Sequence, residues 1–513
     1  MDGAGDKSIS ELRMTMAAQF IMPSFLRLLR PASLSVIFAA LGAMNLGVAQ
    51  SLSATVEVLP GAPGRLLVRG SAPPRQTWSF RDSYAGVLGL GNRVRGFQLF
   101  DANGRQIEVR RMAPGQFASD QPATDFKYEI ELAPGSRLSD AAFTSWLTPD
   151  RGMLILGDVL PELPSTGPAT VAARLIVPSG WTAYASDSGK SITQVETPDP
   201  DRSVVVVGKK VRISTRAILG KPFMLLTDGN WPFADEEALD VAKSVLQFHS
   251  NTAGQSPCES ATLVLLPSPQ ASGGGKWSAQ TRGCSVTLLL SAAPSKIAAV
   301  AQLELALTHE LFHFWVPNGL ALAGEYDWFY EGFTMYQAAR AAVRLDLLSF
   351  DQFLNAIADA YDGSSGGDGQ NLSLIEASKQ RWTSGSSIVY SKAMVVAFLY
   401  DVNLRWQTRG KRSLDDVYRT MVSEHLAKSP TDTGRPDANS AVVGTLRLEM
   451  SDQDFVNRLV IARANIDLEK ELAAFGLHVE RPGVRTHISA NAQLTSRQRD
   501  LLKQLGYNEP RRR

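Results

Sequence analysis

His309-Glu310-Leu311-Phe312-His313 stands inside a long helical pattern, opened by Pro294 and stopped by Pro317-Asn318-Gly319, and is followed by Trp328-Phe329-Tyr330-Glu331-Gly332-Phe333-Thr334. Two histidines four positions apart share one helical face, so both imidazoles can point at a single ion, while Glu310 sits a short way round the same turn, within reach of a water there. A catalytic zinc site takes three protein ligands and keeps a fourth position open. Glu331, 18 residues after His313 on the next helical stretch, Asp327 to Leu345, is the candidate third ligand. A carboxylate placed among Trp328, Phe329, Tyr330 and Phe333 is expensive to bury without a partner. The expectation is one zinc ion held by His309, His313 and Glu331, with Glu310 as general base.

Working outward, the 513 residues predict about three domains. Basic and acidic side chains nearly cancel at a formal +1, which encodes no general attraction to nucleic acid or to an anionic membrane. Residues 50–215 alternate short β-type runs, the last of them Ser203–Ile213, with Gly- and Pro-rich turns, the pattern of an all-β domain. Residues 216–345 mix a helix near Glu236–Ser250, two β-runs and the metal-motif helix, and read as an α+β domain. Residues 346–480 read as helical, with capping boxes at Ser349/Gln352, Ser413/Asp416 and Ser451/Asp454. Residues 481–513 are polar, end in three arginines and are expected to form a tail.

Residues 1–49 carry Arg27 and Arg30, an apolar run from Ala32 to Val48, and Gly47-Val48-Ala49-Gln50. This is the wording of a secretory signal peptide cut after Ala49, and the expected location is periplasmic or secreted. The alternative is an uncleaved anchor in the inner membrane, the only way a membrane enters the reading. Met14, Met16 or Met22 are alternative starts. Export to an oxidising compartment makes one disulfide between Cys258 and Cys284 the simplest use of the two cysteines, and without a CxxC spacing they do not read as a metal site. His249, His425, His478 and His487 lie apart and read as surface or packing residues.

HExxH followed by a glutamate in a W-x-x-E-G-F-T-x-Y setting resembles the gluzincin zinc peptidases, and most of all the glycyl aminopeptidase family. The matching text is His309–Trp315, Trp328–Tyr336, Tyr390-Ser391-Lys392-Ala393, similar to that family's Y-x-K-G, and Arg412–Val417, similar to its R-S-L-D-D-V. The resemblance implies a thermolysin-like catalytic domain, a peptide or protein substrate, and Tyr390 as donor to the oxyanion of the tetrahedral intermediate. A phenol hydroxyl facing the metal stabilises charge that develops only in the transition state.

Two departures bear on the substrate. Where relatives carry a G-G-x-E-H or G-x-M-E-N motif whose glutamate binds the free amine, this chain has Gly273-Gly274-Gly275-Lys276-Trp277. Either this is an altered substrate-binding segment, in which Lys276 repels an ammonium group, or it is a hairpin loop. No counterpart of the C-terminal PDZ-like domain of many relatives is expected. The resulting reading is an exported, aminopeptidase-like zinc peptidase. Its alternatives are a zinc endopeptidase and a noncatalytic peptide-binding or scaffold protein that keeps the peptidase fold.

Overall fold

A computed structural model describes residues 50–163, 169–270, 276–365, 371–427 and 434–508. The chain divides into two compact units. Of the described residues, one comprises 50–135 and 144–211; the other comprises 136–143 and those from 212 to 508.

The first unit is sheet-rich. Its eight-stranded sheet is built on the long strands Arg65–Ser79 and Gln116–Glu131, paired antiparallel, with Gln50–Leu59 between Arg65–Ser79 and a parallel partner, Ala169–Ile176. A four-stranded sheet contains Val204–Gly208 and Arg151–Ile155. Alternation along Gln50–Leu59 buries Leu52, Ala54, Val56 and Val58, whereas Val204–Val207 is buried continuously.

The second unit opens on a five-stranded sheet. Its strands run Arg212–Ile218, Lys221–Thr227, Ala261–Pro267, Ser285–Leu290 and, at the edge, Trp277–Arg282. The last two form a hairpin turned at Gly283-Cys284, where Gly283 has φ +58°. Cys284 is disulfide-bonded to Cys258, so the expected bridge ties this turn to the loop before the central strand. Helix Asp235–Ala253 and helix Lys296–Glu310, the latter capped by the Ser295 hydroxyl, pack together. The helices that follow include Thr334–Arg344, Phe350–Ser365, Ala393–Thr408, Leu414–His425 and Ala438–Glu449. Among the described residues no helix is long and apolar enough to cross a membrane.

Several sequence expectations are corrected. The single run read at Ser203–Ile213 is broken at the exposed pair Lys209-Lys210; its halves belong to different units, and residue 215 lies within a strand rather than at a boundary. Residues 216–345 and 346–480 do not have separate cores: one apolar cluster runs from Ile218 to Leu505. The capping boxes at Ser349 and Ser413 form, but at Ser451/Asp454 the Asp454 amide donates to Asp452 instead. Ser373/Glu376 and Thr495/Gln498 form capping boxes as well.

The expected tail is also structured. Strand His487–Ala490 pairs with Leu477–Glu480, and helix Ser496–Gln504 buries Leu501 and Leu502 in the common core. Four apolar side chains, Ile488, Leu501, Leu502 and Leu505, are enough to dock this short polar segment. Leu502→Ala is therefore expected to destabilise the protein by about 2–5 kcal/mol. Equilibrium unfolding measures this; an unchanged midpoint would restore the tail reading.

Candidate metal centre and active site

Helix Lys296–Glu310 ends inside the motif, and its last turn, Leu311–Phe314, tightens to a 3-10 helix. His309 and His313 remain on one face, with their Nε2 atoms 3.0 Å apart. The carbonyl of Val316 can only accept, so the His313 Nδ1 contact at 2.8 Å makes Nδ1 the donor and leaves Nε2 with its lone pair toward the centre. Burial lowers the pKa of His313, more than the nearby Glu331 carboxylate raises it. His249, fully buried against Phe312 and Trp315, donates from Nε2 to the Thr308 carbonyl and braces the helix one residue before His309; burial holds its pKa down at about 3.

Glu331 does not sit on a regular α-helix. Trp328–Phe333 is a π-helical turn leading into Thr334–Arg344, and Tyr390 lies on a second π turn, Ile388–Lys392, leading into Ala393–Thr408. Such single wide turns recur at functional sites. Here the two turns pack against each other. Gly332 permits the approach: a Cβ on it would lie 2.3 Å from the Ala393 Cβ and 2.5 Å from the Val389 carbonyl oxygen. Glu331 Oε2 is thereby placed 3.4 Å from His309 Nε2 and 3.8 Å from His313 Nε2.

These three buried residues fit a metal ion. They offer ligand atoms all within 4.8 Å of one another, two of them imidazole nitrogens and one a carboxylate oxygen, the donor set that suits zinc. Two close nitrogens facing a carboxylate are well satisfied by a cation placed between them. Burial pushes the Glu331 carboxyl up, but the Arg381 guanidinium and the two imidazoles outweigh it and hold its pKa at about 2.

Glu310 is also buried and accepts at Oε2 from the Thr281 hydroxyl on the edge strand, at 2.7 Å. Burial raises its pKa, only partly offset by His313, as suits a base that must take up a proton. Arg381 joins the rest of the site: Nη2 donates to Glu331 Oε1 at 2.8 Å and to the Tyr390 hydroxyl oxygen at 2.5 Å. No motif announces this arginine, which neither spacing nor composition separates from the other basic residues. Thr281 is equally silent in the sequence. An open cleft lined by Glu325, Asp327, Tyr330, Arg381 and Trp382 adjoins the site.

No protein-family model matches the chain, and no curated protein matches it in sequence. Solved structures do. A protein of the aminopeptidase N family from Idiomarina loihiensis is similar over 84% of this chain and 79% of its own, with a TM-score of 0.69 and 16% identity. An M1 zinc metallopeptidase mutant from Deinococcus radiodurans is similar at a TM-score of 0.50 and 16% identity, over 84% of this chain and 98% of its own. The same mutant bound to a Tyr-Ser-Ala substrate gives a TM-score of 0.51 at 16% identity, with the same coverage of both chains. This chain shares their fold.

The structure thus gathers His309, Glu310, His313, Glu331 and Tyr390. Of the Gly-rich segment, only Lys276 and Trp277 are described. Gly273, Gly274 and Gly275 lie outside the described residues. Lys276 is exposed, its backbone tied to Ser291 and Gln302, and Trp277 begins the edge strand. At ~3.3 Å per residue, Lys276 is roughly 16 Å along that strand from Thr281, the residue that touches Glu310. The positions flanking Thr281 are Gln280 and Arg282, whose guanidinium donates to the carbonyls of Ala142 and Phe143. Gly332→Ala is expected to force the two π turns apart, costing about 1–3 kcal/mol of stability and at least tenfold in zinc affinity. Thermal unfolding and chelator competition test this; wild-type values in both would show that the close approach is dispensable.

Proposed function

We propose that this chain is a zinc-dependent peptidase. The observation that carries the reading is the convergence of His309, His313 and Glu331 in one buried centre, with Glu310 and Tyr390 beside it. A zinc ion bound there supplies a Lewis acid that activates water and polarises the scissile carbonyl. Glu310, held by Thr281, takes the proton of the attacking water and passes it to the leaving amine. Tyr390 donates its hydroxyl hydrogen to the carbonyl oxygen as negative charge develops. Burial keeps the Tyr390 phenol protonated, its pKa pushed up despite the neighbouring arginine.

The shared fold with an aminopeptidase N family protein supports removal of N-terminal residues from a peptide or protein. One observation favours the endopeptidase alternative. The strand beside the site, Trp277–Arg282, carries no carboxylate to receive a free amine. The scaffold alternative loses support because Glu310 and Tyr390, which a binding protein does not need, are both placed at the centre. The N-terminal segment supports export, with the periplasm or the exterior as the place of action, or membrane attachment if residues 1–49 are retained.

Glu310→Gln is expected to bind one zinc ion per chain as tightly as the wild type and to lose roughly 10²–10⁴-fold in kcat. Glu331→Ala is expected to lose zinc. Metal analysis with mass spectrometry of a peptide set carrying free and acetylated N-termini decides the matter. Loss of single residues from free termini alone makes the protein an aminopeptidase, and internal cleavage of both forms makes it an endopeptidase. Full activity of the Glu310→Gln protein would overturn the mechanism.

A further inference from the structure

Arg381 is the residue at this site whose role the reading above leaves open. Its side chain is 11% exposed and is held on several sides. Besides the two bonds from Nη2, Nη1 donates to Asp327 Oδ1 at 2.9 Å and to the Tyr330 hydroxyl oxygen at 3.0 Å, while the Tyr330 hydroxyl donates to the same Asp327 oxygen. The guanidinium carbon also lies 4.3 Å from the Trp382 ring centre and 5.3 Å from that of Tyr390. Arginine has no acceptor and presents its donors in a rigid plane. Its position is therefore fixed by Asp327 and Tyr330 before it does anything to the reacting groups.

Two consequences follow from Nη2. The Glu331 carboxylate is divided, with Oε1 committed to the guanidinium and Oε2 left facing the imidazoles. The Tyr390 oxygen accepts from a cation that cannot accept in return, so the phenol hydrogen must point elsewhere. A hydroxyl polarised in this way is a stronger donor through its own hydrogen. The Glu331 and Tyr390 oxygens, 2.8 and 2.5 Å from one nitrogen, lie within about 5.3 Å of each other.

We propose that Arg381 is a positioning residue that couples metal binding to oxyanion stabilisation: it presents Oε2 of Glu331 to the ion and aims the Tyr390 hydroxyl at the reacting carbonyl oxygen. This inference rests on the peptidase reading. A lysine keeps the charge but, as a point donor, cannot reproduce the fork that reaches Asp327, Glu331 and Tyr390 together.

The test compares Arg381→Met, Arg381→Lys, Tyr390→Phe and the Arg381→Met/Tyr390→Phe double variant in the full chain. Zinc affinity is read by chelator competition, ligand geometry by the visible absorption of the cobalt-substituted protein, and kcat and KM on a peptide cleaved by the wild type. Arg381→Met is expected to weaken zinc binding about 10–100-fold and shift the cobalt spectrum. At saturating zinc it is expected to lower kcat roughly 100-fold with little change in KM. Tyr390→Phe is expected to lower kcat similarly while leaving zinc affinity and the cobalt spectrum unchanged. The double variant is expected to fall no further than about threefold below either single variant, because both remove the same donor. Arg381→Lys is expected to keep most of the zinc affinity but not kcat, and it carries the test if Arg381→Met does not fold.

Wild-type zinc affinity, cobalt spectrum and kcat in both Arg381 variants, or kcat losses that multiply in the double variant, would overturn the inference. If the wild type binds zinc but cleaves no peptide, it is the peptidase reading that fails. The metal readouts then still decide whether Arg381 orients Glu331.

Discussion

A carboxylate that is almost fully buried stays ionised only if something nearby makes up for the water it has lost. Glu331 has the Arg381 guanidinium on Oε1, and near Oε2 stand the two imidazole nitrogens with which it would share a cation. Remove the arginine and one carboxylate oxygen loses its charged partner. Remove the cation expected between Glu331 and the imidazoles, and two nitrogen lone pairs face a carboxylate. The site is therefore not a set of ligands placed one by one. It is a charge balance in which Asp327, Arg381, Glu331 and the metal depend on one another.

That balance requires backbone geometry of an unusual kind. Glu331 and Tyr390 arrive on wide π-helical turns, each at the head of a buried helix, and the turns approach closely because residue 332 has no side chain. On the other side, the disulfide at Cys284 and the hairpin turn at Gly283 secure the strand whose Thr281 holds Glu310. The fold brings base, ligands and oxyanion donor together from three separate stretches of chain.

Much of this was legible in the sequence, for identifiable reasons. His309, Glu310 and His313 are encoded by helical periodicity alone, because residues four apart on a helix must share a face. Glu331 was readable from a local contradiction, an acid among four aromatic residues. The Cys258–Cys284 bridge followed from there being two cysteines and a presumption of export. Tyr390 was nominated only by resemblance, since a tyrosine in an apolar helix carries no signature of its own. Arg381 and Thr281 were not readable: each acts through contacts with residues on other elements of the fold, and no spacing rule covers a partner brought in by tertiary packing. The docked C-terminal segment escaped for a related reason. Its polar composition hides four apolar side chains that matter only once a core exists to receive them. Lys276 has a conspicuous setting in the sequence but stands at the far end of the edge strand from Glu310.

At the centre of the site a single metal ion is expected to join His309, His313 and Glu331 while Arg381 keeps the other carboxylate oxygen. Diffraction from zinc-grown crystals, collected on both sides of the zinc absorption edge, tests this most directly. The predicted result is one anomalous peak about 2.0–2.2 Å from His309 Nε2, His313 Nε2 and Glu331 Oε2, with Arg381 still bonded to Oε1 and to Tyr390. A peak at other residues, or a Glu331 that grips the ion through both oxygens with Arg381 turned away, would contradict it.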